Sequence, residues 1–161
     1  MSDVKSITDL EKFLDYSFRK QKILEEARRR KAYTNEHSEE RMECMDPLAT
    51  LGDAVLDTIV VMKLYEEGYR SKGKITEKKI EQVKHERTRA FAENHDLGEY
   101  ILWGKGEYEQ MDTLRKGKAF DAVTEALIGA VFLDAEKRGM NGLKIVQEFL
   151  ERKNFFKNNS E

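Results

Sequence analysis

The apolar residues of this 161-residue chain recur at helical spacing through almost its whole length. The chain has a single proline, Pro47, and its ten glycines fall mostly where the periodic segments break. No stretch shows the alternation of apolar and polar residues, bounded by hairpin turns, that is typical of β-strands. We therefore predict an all-α fold, a single helical domain over residues 1–161.

The periodicity and the capping residues predict the order of the helices. Short helices are expected near Ile7–Asp15, with Ser6 or Thr8 as the cap, and over 20–33. A long helix is expected from Asp46, as N-cap, to Gly68, with Pro47 in its first turn. The remaining predictions are a polar loop or short helix over 34–44, helices over 72–83, 87–104 (one or two), 120–139 and 141–153, and a polar tail over 154–161.

The composition narrows the classes of partner. Lys and Arg number 29 against 31 Asp and Glu, a net charge of -2, so an RNA-binding protein of this composition needs a local basic face. The one cysteine, Cys44, excludes a disulfide framework and fits a reducing compartment. The apolar runs are too short to cross a bilayer, and the N-terminus lacks the apolar core of a signal peptide. We expect a soluble, cytoplasmic protein without a membrane partner.

The two long apolar helices carry acidic residues among their apolar ones. Asp46 and Asp53 are seven residues apart, about two helical turns, and therefore share a face. Asp121 and Glu125 are four apart and share a face as well. A buried carboxylate is normally paired, hydrogen-bonded or bound to a metal. Carboxylates without His or Cys favour Mg²⁺ or Mn²⁺ and phosphoryl chemistry.

A glycine lies close to the acids on each of these helices. Gly52 precedes Asp53, and Gly129 lies one turn after Glu125. Glycine lets another backbone approach closely, so the spacing suits two helices that pack tightly and bring their acids together. Acids at the exposed ends of amphipathic helices fit the spacing equally well, and the spacing alone leaves both interpretations open.

Four segments resemble, in order, the motifs of the ribonuclease III family. The segment "TLGDAVLD" is similar to the family signature ERLEFLGDAVLD, and "AFDAVTEALIGAVFLD" to DAFEALIGAIYLD. The N-terminal "LDYSFRKQKILEEARRRKAY" resembles LGYxFxxxxLLxxALTHRSY. The middle segment that ends in "WGKGE" resembles the family segment that ends in LGKGE. The resemblance covers about residues 10–150.

This resemblance implies a ribonuclease III endonuclease domain that forms a homodimer and cleaves double-stranded RNA with Mg²⁺, leaving 5′-phosphate and 3′-hydroxyl ends. It makes Asp53 and Glu125 the catalytic residues and metal ligands. Asp46 stands at the first acid of the family motif, shortened from Glu, and is a further candidate metal ligand, although its role as N-cap alone would explain it. Thr50 stands where many members have the aromatic residue that inserts into the partner subunit.

Two further family acids are replaced, by Ala49 and by Ala122. Asp121 lies one position before Ala122, a turn of about 100° on a helix, and is a candidate supplementary metal ligand, although an exposed surface acid fits as well. The Mini-ribonuclease III branch has alanine at the position of Ala49 and likewise lacks the acid at Ala122. We expect a stand-alone catalytic domain with a reduced acid set and without a double-stranded-RNA-binding domain.

Two basic stretches and one further lysine are candidates for RNA contacts, because A-form RNA is read mainly through shape, phosphates and 2′-hydroxyls. The candidates are Arg29, Arg30, Lys31, Lys74 and Lys105. A solvated charged face is the alternative for both stretches, and a structural ion pair is the alternative for Lys105. The three histidines have no ligand or catalytic spacing, and surface or capping roles are expected for them.

The replaced acids keep a second function open. If two acids do not hold Mg²⁺, the domain binds structured RNA or a ribonucleoprotein without cleaving it. A dimerisation module without an RNA role is a third interpretation, which the basic patches oppose.

Overall fold

The computed structural model describes residues 3–156 and has the predicted helical architecture. The C-terminal part of the predicted polar tail, residues 157–161, lies outside the described residues. The ten α-helices of the described part are α1 Ile7–Leu14, α2 Gln21–Ala27, α3 Lys31–Glu36, α4 Asp46–Glu66, α5 Lys72–Gln82, α6 His85–Asn94, α7 Lys105–Tyr108, α8 Met111–Leu114, α9 Lys118–Lys137 and α10 Gly142–Arg152. Short 3₁₀ helices cover Ser38–Glu40 and Leu97–Tyr100.

The long helices α4 and α9 form the centre of the fold. α4 buries a row of apolar residues at helical spacing, and α9 is apolar on most of its surface, so each can lie between other elements. α6, α10 and α2 pack around α9, while α5 packs on α4. Both long helices end as predicted beside a glycine with positive φ, Gly68 at 101° and Gly139 at 73°.

The N-terminal segment is tied to α9 through Asp134, whose side chain is fully buried. Its carboxylate accepts hydrogen bonds from the Tyr16 hydroxyl at 2.7 Å and from the backbone N–H groups of Lys20 at 2.9 Å and Arg19 at 3.1 Å. Burial alone would raise the pKa of Asp134, but these hydrogen bonds lower it below its usual value. Sequence reasoning did not single out this residue.

The predicted single helix over 20–33 is wrong, because the chain leaves helical geometry between α2 and α3. Arg29 there forms an isolated parallel bridge with Leu102. The Leu102 N–H donates to the Arg28 carbonyl at 2.7 Å, and the Arg30 N–H donates to the Leu102 carbonyl at 3.1 Å. Contacts with a segment distant in sequence therefore replace the local helical hydrogen bonds.

The cap predictions have mixed outcomes. Ser6 is confirmed, since its hydroxyl accepts a hydrogen bond from the Asp9 N–H at 3.1 Å. Asp46 as N-cap of α4 is wrong: Met45 holds that position, and Asp46 is the first helical residue. The buried Met45 donates its N–H to the Arg29 carbonyl at 2.8 Å, which sets where α4 begins.

Candidate active site

The crossing of α4 and α9 has no room for side chains at two glycines. A Cβ atom on Gly52 would overlap the carbonyl oxygen of Glu125 and come within 3.0 Å of the Gly129 nitrogen. A Cβ atom on Gly129 would overlap the carbonyl oxygen of Leu48. The two helices therefore touch backbone to backbone, and the turn that carries Glu125 lies directly against α4 beside Asp53.

Glu125 is partly buried and surrounded by acids. Burial raises its pKa, and the negative charges of Asp53, Asp121 and Asp57 raise it further, to about 7. The structure thus brings together Asp53 and Glu125, the two residues on which the sequence prediction rests. Asp53 is exposed on the solvent side of α4.

Asp121 is the buried member of this group. The alternative prediction, that Asp121 is an exposed surface acid, is therefore wrong. The residue is 4% exposed, and its Oδ2 atom lies 3.3 Å from Nδ1 of His85. Its Oδ1 atom is buried and has no hydrogen-bond partner among residues 3–156. Burial raises the pKa of Asp121, while His85 and Arg89 oppose the rise.

Two residues of this region were not predicted as site residues. Asp57 adds to the negative potential at Glu125, and its Oδ2 atom lies 3.6 Å from Nζ of Lys79 on α5. Its position four residues after Asp53, on the same helical face, was the available signal. His85 is exposed, as expected, but no spacing in the sequence indicates its contact with Asp121. We call Asp53, Asp57, Asp121 and Glu125 the acid cluster.

The positions of the two replaced acids lie nearby. Ala49 is buried against the core, Ala122 is partly buried, and both present a methyl group in place of a carboxylate. Asp46 is exposed and is not among the charges that raise the pKa of Glu125. Within residues 3–156, no three His, Cys, Asp or Glu side chains are close enough together to hold one metal ion.

The donor chemistry of the acid cluster nevertheless fits a hard divalent cation. All its donors are carboxylate oxygens, which Mg²⁺ prefers, and Mg²⁺ keeps several waters and needs few protein ligands. Among residues 3–156, the buried Asp121 Oδ1 atom has no donor. Burial raises the pKa of Glu125 most, and the neighbouring carboxylates add a repulsion that a cation would relieve.

The arginines of the first basic stretch are engaged within the fold. Arg30 donates from Nε and Nη2 to Oε2 of Glu107 at 3.1 and 3.0 Å, and its guanidinium lies 5.5 Å from the ring centre of Trp103. Arg29 is mostly buried, with Nη2 at 3.6 Å from Oε2 of Glu25. An RNA contact by either arginine stays a prediction. Such a contact would require the side chain to break its present interactions within the protein.

The three candidate lysines are exposed. Lys31 begins α3, and Lys105 begins α7, where its backbone N–H donates to Oε1 of Glu36 at 2.8 Å. Lys74 is in the first turn of α5, and its Nζ atom lies 3.5 Å from Oε2 of Glu77. Because these three side chains are exposed, they can reach phosphates without the rearrangement that Arg29 and Arg30 would need.

α4 also presents an exposed, weakly polar face. Val61, Met62 and Tyr65 are exposed large apolar residues. The hydroxyls of Thr50 and Thr58 donate to carbonyls of their own helix, at 3.2 and 2.9 Å, and so present mainly their methyl groups. We call these five residues the α4 face.

In the part of the chain that the structure describes, no helix is long and apolar enough to span a membrane.

Comparison with known proteins assigns these features to a family. A family profile described as Ribonuclease-III-like matches residues 20–154. Ribonuclease 3 of Roseiflexus sp. (strain RS-1) is 32% identical over 149 residues, 91% of this chain and 60% of the relative. Ribonuclease 3 of Syntrophomonas wolfei is 40% identical over 106 residues, 65% of this chain and 42% of the relative. The chain spans about half the length of these curated relatives.

Solved structures show the same fold. A crystal structure of the nuclease domain of ribonuclease III from Campylobacter jejuni has a TM-score of 0.76 at 25% identity and covers 96% of this chain and 99% of that one. A second structure of that domain, described as flexible in a region involved in dimer formation, has a TM-score of 0.76 at 24% identity, with coverage of 92% and 98%.

Proposed function

Because the chain belongs to the ribonuclease III family, we propose that it is the catalytic domain of an endoribonuclease that cleaves double-stranded RNA. The observation that carries the proposal is the acid cluster at the crossing of α4 and α9. There the contact between Gly52 and Gly129 brings Glu125 into the field of Asp53 and Asp57 of α4, while Asp121 lies one turn earlier on α9 itself. Such a concentration of partly buried acids costs stability and is typical of functional sites.

Asp53 and Glu125 would hold Mg²⁺, or Mn²⁺ in its place, with Asp121 and Asp46 as supplementary candidates. An ion held there would supply Lewis-acid polarisation of a phosphate oxygen and activation of a water. The 3.3 Å contact of His85 with Oδ2 would hold the Asp121 side chain in place, and Oδ1 has no hydrogen-bond partner among residues 3–156. Hydrolysis that breaks the bond between phosphorus and the 3′ oxygen leaves 5′-phosphate and 3′-hydroxyl ends.

Exposed surfaces of the domain support one class of substrate and one oligomer. Lys31, Lys74 and Lys105 are exposed and suited to phosphates of an A-form duplex, which supports double-stranded or structured RNA as the partner. The weakly polar α4 face lies on the same helix as Asp53. A homodimer through this face would therefore place two acid clusters along one cleft. Arg29 and Arg30 remain candidates for RNA contacts only if their internal bonds open.

The test is cleavage of a long RNA duplex with Mg²⁺ or Mn²⁺. We expect metal-dependent cleavage by the unaltered chain, and a rate lower by about 100-fold or more for Asp53→Asn and for Glu125→Gln. Asp112→Asn, which removes an exposed acid of α8, is the matched control and should cleave normally. Normal cleavage by the Asp53 and Glu125 variants would reject the proposed site.

A second function, binding of structured RNA without cleavage, is favoured by one observation. Ala49 and Ala122 remove two family acids, and no three potential ligands lie together among residues 3–156. Metal-independent RNA binding without cleavage, measured by gel shift on the same duplex, would support this function and reject the nuclease.

A further inference from the structure

A pocket of about 560 Å³ lies where the end of α5, the helix α6 and the C-terminal end of α10 meet. None of its described lining residues belongs to the acid cluster. The volume is in the range of small-molecule binding sites. The proposed cleavage activity gives this pocket no role.

The pocket contains a guanidinium group with an unused donor. Nη1 of Arg87 is buried and has no hydrogen-bond partner among residues 3–156. Arginine can only donate, and a buried donor without an acceptor costs stability, so such an atom calls for an explanation. Among residues 3–156 the other side-chain atom in this state is Oδ1 of Asp121, which belongs to the acid cluster.

The charges around Arg87 favour an anion. Lys84 and Lys153 line the pocket with it, against Glu81 and Glu86. Burial lowers the pKa of Arg87, and Glu81 opposes the change without forming a hydrogen bond to the buried nitrogen. The described lining therefore has one positive charge in excess, from three cations against two carboxylates, and the unpaired nitrogen of Arg87 calls for an oxygen acceptor.

Aromatic rings also line the pocket. Phe91 and Phe155 form a tilted pair with ring centres 5.4 Å apart, and His95 lies 4.6 Å from the ring centre of Phe91. Burial and the charge of Lys153 lower the pKa of His95, which keeps its ring neutral near pH 7. A pocket lined by both cations and aromatic rings suits a base joined to a phosphate.

We propose that this pocket binds a nucleoside phosphate, with the phosphate accepting from Nη1 of Arg87 and the base on the wall of Phe91, Phe155 and His95. Lys84 and Lys153 add charge to the phosphate side. The ligand is a free nucleotide or the phosphorylated end of an RNA strand, which share this chemistry. The inference does not rest on the proposed cleavage.

Isothermal titration without divalent metal tests the proposal, with inorganic phosphate, adenosine, AMP and a 5′-phosphorylated RNA trinucleotide. We expect AMP to bind at least tenfold more tightly than inorganic phosphate and adenosine not to bind. A trinucleotide that binds more tightly than AMP identifies an RNA end as the ligand, whereas weaker binding identifies the free nucleotide. No saturable binding of phosphate or AMP would overturn the proposal.

Arg87→Met separates a ligand site from a structural role, because it removes the donor and keeps an unbranched apolar stem. We expect at least a tenfold loss of AMP affinity, with an unliganded Tm that is unchanged or higher, since the unsatisfied donor is gone. A lower Tm together with unchanged AMP affinity would make Arg87 structural and overturn the proposal.

Arg115→Met is the matched control, since it removes the same charge from an exposed residue of the separate groove near Trp103. It should leave AMP affinity unchanged, and a loss there would place the ligand in that groove and overturn the proposal. If Arg87→Met does not fold, Lys84→Gln, at an exposed position, should lower AMP affinity at least threefold. Asp53→Asn should lose cleavage and keep AMP binding, so the two proposals fail separately.

Discussion

Glu125 is held at a point where its negative charge is unfavourable. Its carboxyl is partly buried against α4, and burial together with Asp53, Asp121 and Asp57 raises its pKa to about 7. In the unfolded chain the same group has its ordinary pKa near 4.5. The folded protein therefore binds a proton here that the unfolded chain has already released between those two pH values.

This difference in pKa predicts how the free energy of unfolding changes with pH in the absence of divalent metal. Since the folded state holds more protons on Glu125 between pH 4.5 and 7, the free energy of unfolding falls as pH rises through this range. Glu125→Gln removes this dependence. We expect the variant to gain roughly 1–2 kcal/mol over the unaltered chain between pH 5 and pH 8, after allowance for partial exposure.

Urea denaturation at pH 5 and pH 8 with EDTA measures this difference. Asp112→Asn is again the control, since it removes an exposed acid and should leave the pH dependence unchanged. An identical pH dependence in Glu125→Gln and the unaltered chain would mean that Glu125 is not perturbed in the folded state.

The helices α4 and α9 depend on one another more than on their own propensities. Their glycines lower helix propensity, at about 1 kcal/mol each, but permit the backbones to touch. The carbonyl of Glu125 faces Gly52, and that of Leu48 faces Gly129. Close packing of the two helices and assembly of the acid cluster are thus the same structural event.

Alanine at either crossing glycine should separate the helices. For Gly52→Ala and Gly129→Ala the added methyl overlaps backbone, which cannot move aside as a flexible side chain can, so we expect a loss of about 3 kcal/mol or more. Gly73→Ala, in the exposed helix α5 with only the Ser71 hydroxyl nearby, should be neutral or stabilising. Thermal denaturation of the three variants compares them directly, and equal stabilities would exclude the backbone contact.

The complete domain has an acid cluster at one edge and the α4 face next to it. The described residues of one domain provide one such cluster, whereas the proposed cleavage of both strands of a duplex would call for two. The position where many family members carry an interlocking aromatic residue has Thr50, whose hydroxyl is satisfied within its own helix. Association through this helix would then rest on Val61, Met62 and Tyr65.

A charged residue on this face should dissociate the proposed dimer. We expect the unaltered chain to elute as a dimer in size-exclusion chromatography with light scattering, and Met62→Asp to elute as a monomer with a Tm within a few degrees, because Met62 is already exposed. Met140→Asp, at an exposed methionine beyond the end of α9, should remain dimeric. A monomeric unaltered chain would reject the dimer.

The sequence was sufficient for the properties that depend on local spacing and on motifs. Helical periodicity predicted the all-α class, and Gly68 and Gly139 predicted the ends of the two long helices. The motif around Asp53 and that around Glu125 predicted the family. Each of these signals lies within a few turns of chain, where periodicity and residue type act directly.

The tertiary structure decided the properties that depend on contacts between distant segments. The chain breaks at Arg28–Arg30 because Leu102 offers backbone hydrogen bonds there. Asp121 is buried and paired with His85 because α6 packs on α9, and Asp57 reaches the field of Glu125 because two glycines let α4 and α9 touch. Such contacts produce no periodic pattern in the sequence. The residues that make them are far apart in the chain, and the lengths of the loops between them do not indicate which segments will pack together.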